Sequence, residues 1–115
     1  MSGDKQAEGE FIFLYSTFGS LVEAERVAEA LVGERLAACV NIHPNMRSVY
    51  EWKGKVEKAE EVAVFIKTRA ALKERVMARL RALHPYEVPA MLVLPILGGN
   101  EDYLEWAREQ TKTES

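Results

Sequence analysis

Three side chains in this sequence could bind a transition metal. His84 lies in the segment LHPYEVPAM, and the chain has one cysteine, Cys39, and one other histidine, His43. Imidazole and thiolate are ligands that copper and zinc favour in proteins. A histidine before a proline also marks the end of a helix, because the residue preceding proline is pushed out of helical geometry. From these residues alone, His84 is either a metal ligand or the end of a helix.

Cys39 and His43 have simple structural explanations beside the metal hypothesis. Cys39 lies in the strand-like run AACVNI, where we expect a small buried thiol packed against the first helix, with metal binding as the alternative. We expect His43 to be a solvated residue at a bend of the chain. A single cysteine excludes an internal disulfide and a zinc site of the CxxC type.

A second kind of site would bind a small anion. The segment STFGS precedes a predicted helix, whose first backbone amides could hold a phosphate, although the glycine spacing of a nucleotide-binding loop is lacking. Ser16 and Thr17 of this segment are therefore candidates to line a ligand cleft, and Glu87, close in sequence to His84, is a third candidate. Three further carboxylates are Glu57, Glu60 and Glu61. They are either solvated or, if the chain associates with copies of itself, brought together between subunits.

Composition narrows the class of protein. The chain has 115 residues and a net charge of −3, which predicts one globular domain and argues against a surface for nucleic acid. The first residues are polar and acidic and resemble no signal peptide, and no apolar run is long enough for a membrane span, so we expect a cytoplasmic protein. We predict a disordered tail at 1–9, a single domain at 10–110 and a short tail at 111–115.

Hydrophobic periodicity predicts an α+β fold. Short apolar runs indicate strands, apolar residues at helical spacing indicate helices, and Ser20 followed by Glu23 forms a capping box. The predicted elements are strands at 10–17, 37–42, 60–68 and 90–96, and helices at about 20–35, 72–83 and 100–110. Their order is β-α-β-β-α-β with an additional C-terminal helix, which is the ferredoxin-like pattern.

The predicted sheet is apolar on both faces. Right-handed crossovers place the first two helices on one face, and we expect the other face to have no cover from its own chain. In the first strand, Phe13 and Tyr15 point to one side while Ile12 and Leu14 point to the other. A second copy of the chain is the simplest cover for the remaining face.

A long hairpin gives a second reason to expect self-association. A two-residue turn at Lys53 and Gly54 would join strands that reach about 50 Å, whereas a domain of this size has a radius of gyration of about 13 Å. The hairpin must bend, at Pro44, or extend beyond its domain. We expect the apolar side chains at its tip, with one from the LHPYEVPAM segment, to contact a neighbouring copy: Val49, Tyr50, Trp52 and Tyr86.

Five segments in this order resemble the CutA divalent-cation tolerance proteins: ERLAACVNI, SVYEWKGKVE, IKT, LHPYEVP and NEDYLEW. The resemblance covers residues 11 to about 109. It implies a cytoplasmic ferredoxin-like homotrimer, without enzymatic activity, that is linked to tolerance of copper and other divalent cations. Similarity of the family to trimeric PII signalling proteins implies an alternative, a sensor that binds a small anionic molecule in a cleft between subunits.

The metal site that the resemblance implies is incomplete in this sequence. Copper binding proposed in the family uses a cysteine at the end of the first strand and a pair of histidines at the end of the second helix. Ser16 and Leu83 stand at two of these positions, and only His84 matches. We therefore predict weak binding of copper or another divalent ion, with His84 as first candidate ligand and Cys39 as the second.

Overall fold

The computed structural model describes residues 9–112, so most of the two predicted tails, 1–9 and 111–115, lies outside the described residues. The elements in chain order are β1 (Phe11–Phe18), α1 (Leu21–Gly33), β2 (Cys39–Trp52), β3 (Lys55–Arg69), α2 (Lys73–Leu83), β4 (Leu92–Ile96) and α3 (Glu101–Gln110). A short 3-10 turn, Ala70–Leu72, leads into α2. The predicted order of strands and helices is confirmed.

The four strands form one antiparallel sheet in the order β2-β3-β1-β4. Helices α1 and α2 lie on one face and bury its side chains, as the alternation in β1 predicts. Leu14 and Ile66, which are opposite each other in β1 and β3, are completely buried in this core with Leu31 of α1 and Leu80 of α2. The face under α1 and α2 is therefore the main hydrophobic core.

The opposite face of the sheet, called the open face below, is only partly covered. Ala107 and Leu104 of α3 pack against Phe11 and Ala38 at one end of this face. The expectation that the chain gives this face no cover was wrong, because the C-terminal helix folds back onto it. The rest of the open face carries half-buried and exposed apolar residues: Phe13, Tyr15, Phe65, Leu92 and Leu94.

The β2–β3 hairpin has the predicted turn and an unpredicted register. Lys53 and Gly54 both have positive φ angles, 52° and 82°, which is typical of a two-residue hairpin turn. From Trp52 opposite Lys55 the pairing runs regularly to Met46 opposite Glu61 and then shifts. We call this outer part, residues 46–61, the arm.

A β-bulge lies at the base of the arm. Between the pairs Met46–Glu61 and His43–Ala63, β2 has two residues, Pro44 and Asn45, where β3 has one. Asn45 has a φ of 68°, and Pro44 has no backbone N–H to leave unpaired there. The radius of gyration is 15.3 Å, above the 13 Å or so of a compact domain, as the projecting arm requires.

Candidate functional site

His84 lies at the end of α2, where its backbone leaves helical geometry as predicted (φ −75°, ψ 135°). The backbone N–H of Tyr86 donates to Nδ1 at 3.1 Å, and Nε2 lies 2.8 Å from the carbonyl oxygen of Thr17. Since an N–H donates to Nδ1, that nitrogen carries no proton, and Nε2–H donates to Thr17. The imidazole is thus the neutral Nε2–H tautomer, and both ring nitrogens have hydrogen-bond partners.

The surroundings of His84 favour this neutral form. Its ring stacks on Phe18 with 4.1 Å between centroids, and only 7% of the residue is exposed. Burial lowers the pKa of His84 below its ordinary value, while the hydrogen bond to Thr17 and the charge of Glu23 act in the opposite direction. Binding a metal through this ring requires breaking one of its two hydrogen bonds.

Tyr86 links this histidine to the arm. Its hydroxyl donates to one carboxylate oxygen of Glu61 at 3.2 Å, and Ser48 donates to the other oxygen at 2.7 Å. Burial, followed by the negative charge of Glu61, raises the pKa of Tyr86. A row of hydrogen bonds therefore runs from Thr17 through His84 and Tyr86 to Glu61.

An open cleft of about 370 Å³ lies between the start of α1 and the base of the arm. One wall is formed by residues 19–21, and the other by Pro44, Asn45 and residues 60–62. Two of the lining residues, Glu60 and Glu61, are acidic, and none of the described residues that line the cleft is basic. Within one chain, the charged side chains of this cleft favour a cation, while the backbone amides at the start of α1 favour an anion.

Of the other candidate binding residues, Thr17 contacts His84 through its backbone carbonyl oxygen, whereas Cys39 and His43 lie on the open face of the sheet. Cys39 is half-buried opposite Lys67, which places it on the open face; the expectation that it packs against α1 was wrong. His43 is exposed, as expected, and its ring is nearly perpendicular to that of Phe65, with 6.0 Å between centroids. Ser16 and Thr17 are buried, and Glu87 is exposed.

Neither a preformed metal centre nor a membrane span is found in the described part of the chain. Within residues 9–112, no group of three or more His, Cys, Asp or Glu side chains is placed to hold a metal ion. No helix in the same range is long and apolar enough to cross a membrane.

The predicted interface residues are at the surface of the single chain. Val49, Tyr50 and Trp52 of the arm are 63%, 46% and 60% exposed. Tyr86 is partly exposed and makes its polar contact within its own chain, to Glu61.

Sequence reasoning did not find the contacts of Glu61. Ser48, Glu61 and Tyr86 are far apart in the sequence, and the bulge sets which β3 residue meets the base of the arm. Gly19 was also missed: a Cβ atom at this position would lie 3.3 Å from the Tyr86 hydroxyl oxygen. No local motif encodes either contact.

The chain matches known proteins over nearly its whole length. A family model described as CutA1 divalent ion tolerance protein matches residues 12–110. The chain belongs to the CutA1 family. A divalent-cation tolerance protein CutA from Thermus thermophilus is 48% identical over 88 residues, covering 76% of this chain and 85% of the relative. Protein CutA of Homo sapiens is 40% identical over 114 residues, which is 99% of this chain and 64% of the relative.

Solved CutA structures have the same fold. The CutA1 structure from Oryza sativa is 40% identical and has a TM-score of 0.87, with 94% of this chain and 99% of that chain covered. The Thermus thermophilus structure is 44% identical with a TM-score of 0.83, covering 88% and 98%. The ferredoxin-like fold expected from the sequence is confirmed.

The relatives differ in length and location. The chain spans 56% of the chloroplastic CutA protein of Arabidopsis thaliana, to which it is 44% identical over 88% of its own length. A matching structure from Archaeoglobus fulgidus is described as periplasmic. The names of the Thermus thermophilus and Archaeoglobus fulgidus proteins describe tolerance of divalent cations and do not name a reaction.

Proposed function

We propose that this CutA1 family protein acts as a homotrimer in divalent-cation tolerance, without catalysing a reaction. The observation that supports assembly is the open face. Phe13, Tyr15 and Phe65 form a group of aromatic rings on it, with centroid separations of 5.2 and 5.9 Å between neighbouring rings. Register places Leu92 and Leu94 beside them.

The same apolar surface continues onto the arm. Met46 accepts a weak hydrogen bond from the Tyr15 hydroxyl, and alternation along β2 puts Tyr50 and Trp52 on the face of Met46. Burying such a surface between copies would gain roughly 25 cal/mol per Å² of apolar area. A second copy is complementary to it because each copy brings the same apolar arm and sheet face.

Metal binding is the second part of the proposal. His84 remains the first candidate ligand and Cys39 the second, for copper or another divalent ion. Both ring nitrogens of His84 are engaged, so a metal competes with an existing hydrogen bond and its binding should be weak. Glu60 and Glu61 can add carboxylate oxygens where copies meet.

The alternative is a PII-like sensor of a small anionic molecule in a cleft between subunits, with Ser16, Thr17 and Glu87 as candidate residues. The acidic lining of the cleft within one chain gives this alternative less support than a cation. The cytoplasmic location also stays a prediction.

A thermal-shift screen followed by calorimetry tests the ligand. A ligand that binds only the folded protein raises the melting temperature with its concentration. We expect copper to raise it at high micromolar concentrations, and nucleotides and small carboxylates to leave it unchanged. In calorimetry, His84→Gln should weaken copper binding at least about tenfold, whereas His43→Gln should not. Stabilisation by an anion alone would favour the PII-like alternative.

A further inference from the structure

The base of the arm is held to the domain by a few polar contacts. Met46 and Glu61 form the first pair of the arm beyond the bulge. A bulge interrupts the ladder and bends the strand that contains it, so the direction of the arm is poorly fixed by backbone pairing alone at this point. Other contacts must fix it.

Glu61 receives a hydrogen bond from each side of this junction. Ser48 on the opposite strand of the arm donates to Oε1 at 2.7 Å, and Tyr86 from the α2–β4 loop donates to Oε2 at 3.2 Å. The carboxylate thus ties both strands of the arm to a loop of the domain. Hydrogen bonds to a charged acceptor are stronger than those between neutral groups.

Tyr86 is itself fixed to the body of the domain. Its backbone N–H donates to His84, and the His84 ring is held by the Thr17 carbonyl and by stacking on Phe18. A further side-chain hydrogen bond at the arm base, from the Tyr15 hydroxyl to the sulfur of Met46, is 3.5 Å long and involves a weak acceptor.

Gly19 makes room for the Tyr86 hydroxyl. A Cβ atom at position 19 would lie 3.3 Å from that oxygen, closer than ordinary van der Waals contact. Because the obstacle would be the hydroxyl end of Tyr86, a Cβ atom at position 19 would require this group to shift by a few tenths of an ångström beside Glu61.

We propose that Tyr86 fixes the direction of the arm through its hydrogen bond to Glu61, and we call this contact the latch. Gly19 has no side chain and so leaves room for the Tyr86 hydroxyl. The latch is a positioning device within one chain, and it works whether or not copies associate. Its consequence for assembly rests on the proposed function: an arm held in one direction presents Tyr50 and Trp52 to a neighbouring copy at a smaller entropic cost.

Hydrogen–deuterium exchange of the full chain tests the latch. Tyr86→Phe removes the hydroxyl and keeps the ring, so the fold and the stacking around His84 should persist. We expect peptides covering the arm base, residues 44–48 and 59–63, to exchange at least threefold faster than in the parent, with α1 unchanged. Gly19→Ala should accelerate exchange in the same peptides by a smaller factor, because it shifts the same hydroxyl by a few tenths of an ångström without removing it. Tyr103→Phe is the control, since it removes a tyrosine hydroxyl that contacts Lys67, far from the arm base.

Two results would overturn the latch. One is an acceleration of less than threefold at the arm base in Tyr86→Phe; the other is an equal acceleration there in Tyr103→Phe. Sedimentation of the same samples distinguishes failure of the latch from failure of the proposed function. A monomeric parent would refute assembly, while the exchange comparison would still test the latch.

Discussion

Ser16 is a completely buried residue whose hydroxyl oxygen has no hydrogen-bond partner among the described residues. A buried hydroxyl that has lost water without gaining a partner costs about 1–3 kcal/mol. Ser16→Ala should therefore raise the free energy of unfolding by about 1 kcal/mol. Urea denaturation, at one protein concentration for parent and variant, measures the change.

Thr68 provides the matched control. It is equally buried, but its hydroxyl donates to the Leu36 carbonyl oxygen at 2.6 Å. Thr68→Val should lower the free energy of unfolding by about 1–2 kcal/mol, because it leaves that carbonyl without its partner. If Ser16→Ala destabilises the protein as much as Thr68→Val does, the Ser16 hydroxyl has a partner.

His84 should make stability depend on pH. Burial lowers its pKa in the folded state, so between that pKa and about 6.5 the unfolded chain binds more protons than the folded chain. Stability from this residue is present above pH 6.5 and is lost as the pH falls through the window below it. Urea denaturation from pH 7.5 to 5 should show this loss in the parent.

The variants for this pH series are His84→Gln and His43→Gln. His84→Gln removes the titrating ring and should flatten the dependence below pH 6.5, while His43→Gln should retain it. An unchanged pH dependence in His84→Gln would refute the assignment.

At the level of single residues, local signals predicted some roles and not others. The helix end at His84 followed from Pro85, and the cap at Ser20 from its spacing to Glu23; Ser20 indeed accepts a hydrogen bond from the Glu23 backbone. The partners of His84 depend on tertiary packing. Thr17 is 67 residues away in sequence, and no local pattern indicates that its carbonyl meets the ring.

Among the elements, the hairpin shows what a pattern can and cannot predict. The turn and the interruption at Pro44 were predicted from residue types. A regular ladder from the turn would place Ile42 opposite Phe65, whereas it lies opposite Val64. The difference arises because the bulge adds one residue to β2. Pro44 predicts that the ladder is interrupted there, but not how many residues the bulge adds.

Asn45 tests the bulge. Its φ of 68° lies in the left-handed region, which glycine and asparagine adopt far more easily than β-branched residues. Asn45→Val should lower the free energy of unfolding by about 1–2 kcal/mol, and Asn45→Gly should change it by less than about 0.5 kcal/mol. Urea denaturation of both variants measures this, and equal stabilities would mean that the left-handed conformation is not maintained in solution.

At the scale of the molecule, the apolar residues on both faces of the sheet predicted that both faces must be covered. They did not predict that α3 covers part of the open face. The two helices of the ferredoxin-like pattern both lie on the other face, which left no helix for the open face. In the structure, however, Ala107 of α3 packs against Phe11. The predicted C-terminal helix could not be placed on either face from its own sequence. In the proposed homotrimer, another copy covers the arm and the part of the open face beyond α3.

Trp52 lies at the tip of the arm and is 60% exposed in the single chain. Trp52→Glu would put a charge into the proposed interface, where burying it without a partner is costly. The variant should dissociate at a protein concentration at least tenfold higher than the parent in analytical ultracentrifugation. Val22→Glu is the control, because it also replaces an exposed apolar residue by glutamate, but on α1. It should assemble as the parent does.

Self-association through the open face and the arm is the central claim, and sedimentation equilibrium of the unmodified chain tests it most directly. At low micromolar concentration, we predict a single species of three times the chain mass of 13.0 kDa. A stable species of 13.0 kDa at that concentration would contradict the account.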